Sequence, residues 1–328
     1  MPGPVEQTLV LFLLMAAGFA AGRLRLLEGG TRRALSRLLV AFILPCLIVA
    51  SMQRPLSPEL RSQAFTALGL SFAVYAAAFP LALAFARLLR VRGAEGGVHA
   101  FACVFSNVAF MGFPVMEAFF GKESVFLTSI YNIPFQLLAF SVGASMIAHG
   151  LGGGLRARRT EAAGAAGAAA GAAGAGGRMS LADFVTPAGV SSFVGFALFL
   201  LEIRLPGPLL RAATLLGDTT TPLASLLIGS SLSGSSPRAF LSPRVWLTSA
   251  YRLLLFPLAL YAGLRALGFE GLLLGMPVVI AAMPVAANAS ILAEASGGDA
   301  ETASRLVFVS TALSLSTLPF LAALLFGL

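Results

Sequence analysis

The chain alternates long apolar runs with short connections that carry nearly all of its charge. A run of about 17–25 apolar residues is what an α-helix needs to cross a bilayer. Such runs are predicted at residues 5–22, 34–52, 64–89, 98–120, 123–148, 183–203, 208–234, 240–264, 271–293 and 301–327. The predicted fold is therefore an all-α polytopic membrane protein with ten transmembrane helices.

Two of the runs contain residues that hydrocarbon should exclude. The fourth reads SNVAFMGFPV at Ser106–Val115, with Ser106, Asn107, Gly112 and Pro114 inside it. The ninth contains Pro277, Pro284 and Asn288 in GMPVVIAAMPVAANAS. Proline removes a backbone donor and clashes with the carbonyl four residues earlier. In lipid the freed groups need partners, so such backbone sits inside protein or beside water.

The interrupted runs occupy matching places in an internal repeat. The pentapeptide FPLAL occurs at Phe79–Leu83 and at Phe256–Leu260, 177 positions apart. Pro45 and Pro222 keep the same offset, and so, roughly, do the starts of the paired runs. Residues 1–150 and 181–328 are thus predicted to be two five-helix repeats. Five is odd, so the second repeat enters the membrane from the opposite side, the inverted arrangement of many secondary transporters. Between them, residues 151–180 hold an Ala/Gly-rich tract with no large side chain to bury, expected to act as a flexible linker.

Composition agrees with a membrane protein. Of 328 residues, 58% are hydrophobic and 11% charged, against about 25% charged in a soluble domain. The net charge of +8 could suggest nucleic acid, but the basic residues lie in short connections, so it reads as topology. Fifteen Lys and Arg fall in the odd-numbered connections and six in the even-numbered ones. Positive loops stay cytoplasmic, which puts both termini outside and the linker in the cytoplasm. The first run follows no basic segment and reads as a retained span rather than a signal peptide. Cys46 and Cys103 lie inside runs and read as small buried residues. No cofactor, metal site or nucleic-acid partner is expected.

The interrupted spans carry the candidate site. Each break makes helix ends near the midplane, and N-terminal ends offer free N–H groups and partial positive charge. Asn107 and Asn288 add neutral amides. A small organic anion, naturally a carboxylate, fits. Ser106, Gly112, Pro114 and Pro284 flank the amides, and Tyr131 and Asn132, before Pro134, are candidates to face the site from the fifth span. The acids Glu117, Glu123, Glu202, Asp218, Glu294, Asp299 and Glu301 lie near span ends, and Asp218 and Glu117 are weak candidates for carrying a proton. His99 and His149 read as interfacial. Thr219, Thr220 and Thr221 are expected to satisfy a kinked backbone before Pro222. Gly18 and Gly22 read as close helix packing. Arg252, mid-span, either snorkels or pairs with an acid or a substrate.

Four stretches together resemble the auxin efflux carrier family. SNVAFMGFPVMEAFFG is similar to the fourth span of that family and MPVAANASILAEASGGD to the ninth. ALSRLLVAFILPCLI and TTTPLASLLIGSSL resemble the second and seventh. The resemblance covers the chain outside the Ala/Gly linker. It implies a ten-span inverted-repeat carrier with elevator-like motion, whose fourth and ninth spans cross at their breaks beside the substrate. Family members carry auxin in plants and small organic acids such as malonate or malate in bacteria, and often form dimers. By matching position, Asn107, Pro114 and Pro284 would be the crossing residues. Asn288 matches no family asparagine, so its role rests on helix-end chemistry alone. Plant members have a longer structured loop where this chain has its linker, which argues against regulation by phosphorylation there.

One rival reading lies within transport and one outside it. A sodium-coupled symporter of the bile-acid type would place Glu, Gln and Asn together at the crossing. An intramembrane protease would need paired Asp, or Ser with His, inside the membrane; the two His at span edges argue against it.

Overall fold

The computed structural model describes residues 4–150, 186–233, 242–296 and 298–327. The Ala/Gly-rich tract lies outside these residues. Every element among them is helical: α1 Pro4–Arg23, α2 Gly29–Ser51, α3 Pro58–Leu88, α4 Gly93–Val104, α5 Val108–Phe120, α6 Ser124–His149, α7 Pro187–Leu200, α8 Gly207–Gly217, α9 Thr220–Ser233, α10 Pro243–Ala266, α11 Gly271–Ala282, α12 Ala289–Ser296 and α13 Ala300–Phe326. Of these, α2, α3, α6, α10 and α13 are long and apolar enough to cross a membrane.

Three of the predicted runs are divided. The fourth becomes α4 and α5, the ninth α11 and α12, and the seventh α8 and α9. In the seventh, Thr219 Oγ1 donates to the Leu216 carbonyl at 2.6 Å, so a threonine does satisfy the kinked backbone. Thr220 Oγ1, by contrast, is buried with no partner among the described residues.

Prolines elsewhere lie within helices without breaking them. Pro45, Pro114 and Pro257 each follow a π turn, at Leu39–Ile43, Val108–Gly112 and Tyr251–Leu255. The wider turn moves aside the carbonyl that the proline ring would strike. Pro114 therefore lies inside α5 and Pro277 inside α11. This corrects the expectation that Pro114 marks the crossing.

The helices pack as two groups. In the first, α1 runs along α9, and α2 packs on α7 and α8. The α1–α9 seam is close. A Cβ on Gly18 would lie 2.2 Å from the Leu226 carbonyl oxygen, and one on Gly229 only 1.9 Å from that of Met15. A Cβ on Gly22 would lie 2.2 Å from the side-chain Ser233 Oγ, so both glycines of the pair sit in the close packing that the small-residue spacing predicted. In the second group, α3 packs on α4, α4 on α6, α10 on α11 and α13, and α12 on α6 and α13. The groups meet where α1 and α9 lie on α5, and where α2 and α7 lie on α6.

The outer surface is apolar. Leu13, Phe42, Phe72, Leu81, Leu209 and Phe320 are all exposed. Such a surface is stable against hydrocarbon rather than water, since a soluble protein seldom shows large contiguous apolar patches.

Candidate functional site

The two breaks cross and bond to each other. Residues 105–107 link α4 to α5, and 283–288 link α11 to α12. Ser106 and Val285 form an isolated antiparallel bridge. The Asn107 amide donates to the Pro284 carbonyl at 2.9 Å, and the Ala286 amide to the Phe105 carbonyl at 3.1 Å. Each break thus supplies the hydrogen bonds that the other lost, which is how irregular backbone survives at membrane depth. A third donor, the Val285 amide, reaches Ser310 Oγ on α13 at 3.0 Å.

Apolar packing fixes this crossing. The Phe105 ring is fully buried and lies 4.7 Å from the Phe101 ring, 5.8 Å from those of Phe79 and Phe135, and 6.0 Å from Tyr75. Aromatic centroids at these spacings attract beyond area burial alone. The side chain anchors the break while the carbonyl of the same residue serves the ladder.

Antiparallel pairing also sets which helix ends meet. The chain enters α5 beside the end of α11 and enters α12 beside the end of α4. Each N-terminal end therefore adjoins a C-terminal one.

Both C-terminal ends are held by Arg252, which is 1% exposed and sits in the π turn of α10. Its Nη1 donates to the carbonyls of Cys103 at 3.1 Å and Val104 at 3.2 Å, closing α4. Its Nε donates to Met283 at 3.1 Å and its Nη2 to Ile280 at 3.4 Å, closing α11. The residue does not snorkel and pairs with no acid among the described residues; it caps two helices. Sequence reasoning missed this, although the cost of a buried charge was the signal for it. The roles of Ser310 and Phe105 had no comparable signal.

The N-terminal ends of α5 and α12 are treated differently. First-turn amides have no intrahelical acceptor. The Asn107 side chain accepts from Phe110 N at 3.4 Å, a long bond. No other side-chain acceptor serves these first turns among the described residues. Asn288, half-buried at the start of α12, makes no side-chain hydrogen bond to another described residue.

The structure gathers most of the predicted residues. Ser106, Asn107 and Pro284 form the crossing, and Asn288 stands at its edge. Gly112 lies in the π turn of α5, where a Cβ would press on Val108 at 2.9 Å. Tyr131 and Asn132 are buried in α6. The Tyr131 carbonyl accepts from Ser71 Oγ at 2.6 Å, and its ring lies within electrostatic range of Arg252. Asn132 Oδ1 is buried with no partner among the described residues.

His99 departs from its expected place. It is buried rather than interfacial, with Nδ1 2.7 Å from Thr248 Oγ1 and Nε2 3.8 Å from Glu95. The acids near span ends mostly make peripheral ties. Lys122 donates to Asp218 at 2.6 Å, and Thr221 to Glu117 at 2.8 Å, both joining α5 or its end to the α8–α9 region. The Asp218 carboxylate holds the Lys122 ammonium above its usual pKa, chiefly through this hydrogen bond. Arg54 approaches Glu123 at 3.8 Å. Among the described residues, no group of His, Cys, Asp and Glu is placed to hold a metal ion.

The family described as "Membrane transport protein" matches residues 4–164 and 176–322. The chain belongs to this family. It is the auxin efflux carrier family that the four motifs resemble. A protein of Rhizobium meliloti (strain 1021) named "Putative malonate transporter" is 25% identical over 312 residues, 94% of this chain and 92% of that one. An "Uncharacterized transporter" of Methanothermobacter thermautotrophicus is 28% identical over 219 residues, 66% of this chain and 64% of that one. The protein is thus a multi-pass membrane transporter, not an enzyme.

Proposed function

We propose that this transporter is a secondary carrier, a permease or exporter, of a small organic anion with a carboxylate group. The observation that carries this reading is the bonded crossing of two broken helices, which leaves the N-terminal ends of α5 and α12 facing the breaks with Asn107 and Asn288. Helix N-termini attract anions, and asparagine amides both donate and accept. The relative named for malonate supports a carboxylate.

On this reading the two halves are inverted repeats, making ten spans in the cell membrane with termini outside and linker inside. The 177-position offset supports it, as does reciprocal packing, α1 of the first half on α9 of the second and α2 on α7. The α1–α2–α7–α8–α9 group forms the fixed scaffold. The group holding the crossing moves against it, as an elevator.

A sodium-coupled variant of the same carrier has one observation in its favour. Thr128 Oγ1 and Asn132 Oδ1, one turn apart on α6, are buried oxygens without partners among the described residues, the donor type a hard cation takes.

The test is uptake of radiolabelled malonate and related mono- and dicarboxylates into proteoliposomes, with and without sodium. Saturable flux of a carboxylate is expected. No flux and no thermal stabilisation by any of them would remove the carboxylate reading.

A further inference from the structure

We infer that Arg252 is a positioning residue that gives the crossing its preference for anions, an inference resting on the anion-carrier reading above. The argument is one of charge balance. A helix carries about +0.5 charge at its N-terminus and about −0.5 at its C-terminus. The crossing brings two of each together, so by themselves these ends sum to nothing. An anion placed there would meet a negative end beside every positive one.

Arg252 changes the sum. Its guanidinium bonds the carbonyls of Cys103 and Val104 at the end of α4, and those of Ile280 and Met283 at the end of α11. One positive charge offsets two ends of about −0.5 each. What remains is the positive pair at α5 and α12. The guanidinium in turn is stabilised without any carboxylate: its ion-pair partners among the described residues are none, and all acids there pair elsewhere or lie at the periphery. A carboxylate counter-ion would have balanced the guanidinium itself and left the two C-terminal ends uncompensated.

Geometry suits arginine in particular. The planar fork reaches two helices at once, which a lysine ammonium on its single stem cannot do equally well. The position 177 residues earlier is Tyr75, which lies within electrostatic range of the guanidinium. The clamp is thus made once, from the second half, and serves both.

The test uses the full-length protein in proteoliposomes, comparing wild type, Arg252→Gln and Arg252→Lys. The probes are malonate, a dianion, and its monoamide, a monoanion. If Arg252 acts through charge, Arg252→Gln raises KM for malonate at least about tenfold and for the monoamide only about threefold, because the loss scales with substrate charge. Arg252→Lys keeps malonate KM near wild type at pH 7.5. Equal KM loss for both probes, or an Arg252→Lys that loses as much malonate affinity as Arg252→Gln, would overturn the inference and leave a purely structural clamp, as would failure of both variants to fold. Wild type that moves neither probe would instead refute the carboxylate reading.

Discussion

The Asn107 amide donates to the Pro284 carbonyl at 2.9 Å, joining residues 177 positions apart in sequence. Those two residues occupy equivalent positions in the predicted repeats. On the proposed repeat reading the crossing is a contact between a place in one half and the same place in the other. If the halves are inverted repeats, a pseudo-two-fold axis passes beside this bond. A site on such an axis can open to either side with the same groups.

On the proposed reading Asn107 contributes a side chain to the site, and to its helix it gives only a long cap. Replacing it with alanine is expected to raise malonate KM about tenfold, or about 1.4 kcal/mol. The loss of the cap should cost stability no more than about 1 kcal/mol. Flux in proteoliposomes and thermal unfolding in detergent read the two effects separately. Unchanged flux and affinity in both Asn107→Ala and Pro284→Ala would remove these residues from the site.

Ser310 supports the crossing from outside it. Its hydroxyl accepts from the Val285 amide at 3.0 Å in a fully buried place. Ser310→Ala leaves that amide without a partner, at a cost of about 1–3 kcal/mol. The expected result is a lower Tm together with reduced flux. A variant as stable as wild type would mean that the ladder does not need α13.

The α1–α9 seam holds the first group of helices together. Gly229→Ala would place a Cβ 1.9 Å from the Met15 carbonyl oxygen, and that oxygen belongs to backbone. Separation of the helices and a loss above about 2 kcal/mol are expected. Gly69→Ala, on the exposed face of α3 with nothing within 4 Å, serves as the control and should lose nothing. A similar Tm for the two variants would contradict the close packing.

The Lys122–Asp218 pair ties the two groups at one end. Both side chains are largely exposed, 66% and 41%, so the pair contributes only about 0.2–1 kcal/mol. The folded-state pKa of Lys122 lies above its unfolded value. Its contribution is therefore fully present below the unfolded pKa, near 10.5, and is lost as pH rises through the folded value. The Tm difference between wild type and Lys122→Met should stay constant from about pH 7 to pH 9.5 and vanish above the lysine range. A difference that persisted at higher pH would show that packing rather than charge holds this end.

Much of this was legible in the chain. Apolar runs of spanning length gave the helices, because lipid leaves the backbone few other choices. Asn107 and Pro284 stood out as a polar group and a helix breaker where hydrocarbon was expected. Pro114 and Pro277 gave the same signal and do not break their helices, since a π turn or a local bend accommodates a proline at little cost. His99 looked interfacial from its distance to the end of a run, yet the packing of α4 on α10 buries it against Thr248.

The sequence by itself determined that the chain is a bundle of membrane-length helices with two interrupted spans at matching positions. Periodicity, length and the cost of polar groups in lipid are local properties, and they decide such questions. Only the tertiary structure decided where the lost hydrogen bonds go and what Arg252 does. A guanidinium that caps α4 and α11 together, reaching residues up to 149 positions away, depends on how three helices meet. No run of residues encodes that meeting, because its energy comes from dipoles and carbonyls that are brought together only when the chain has folded.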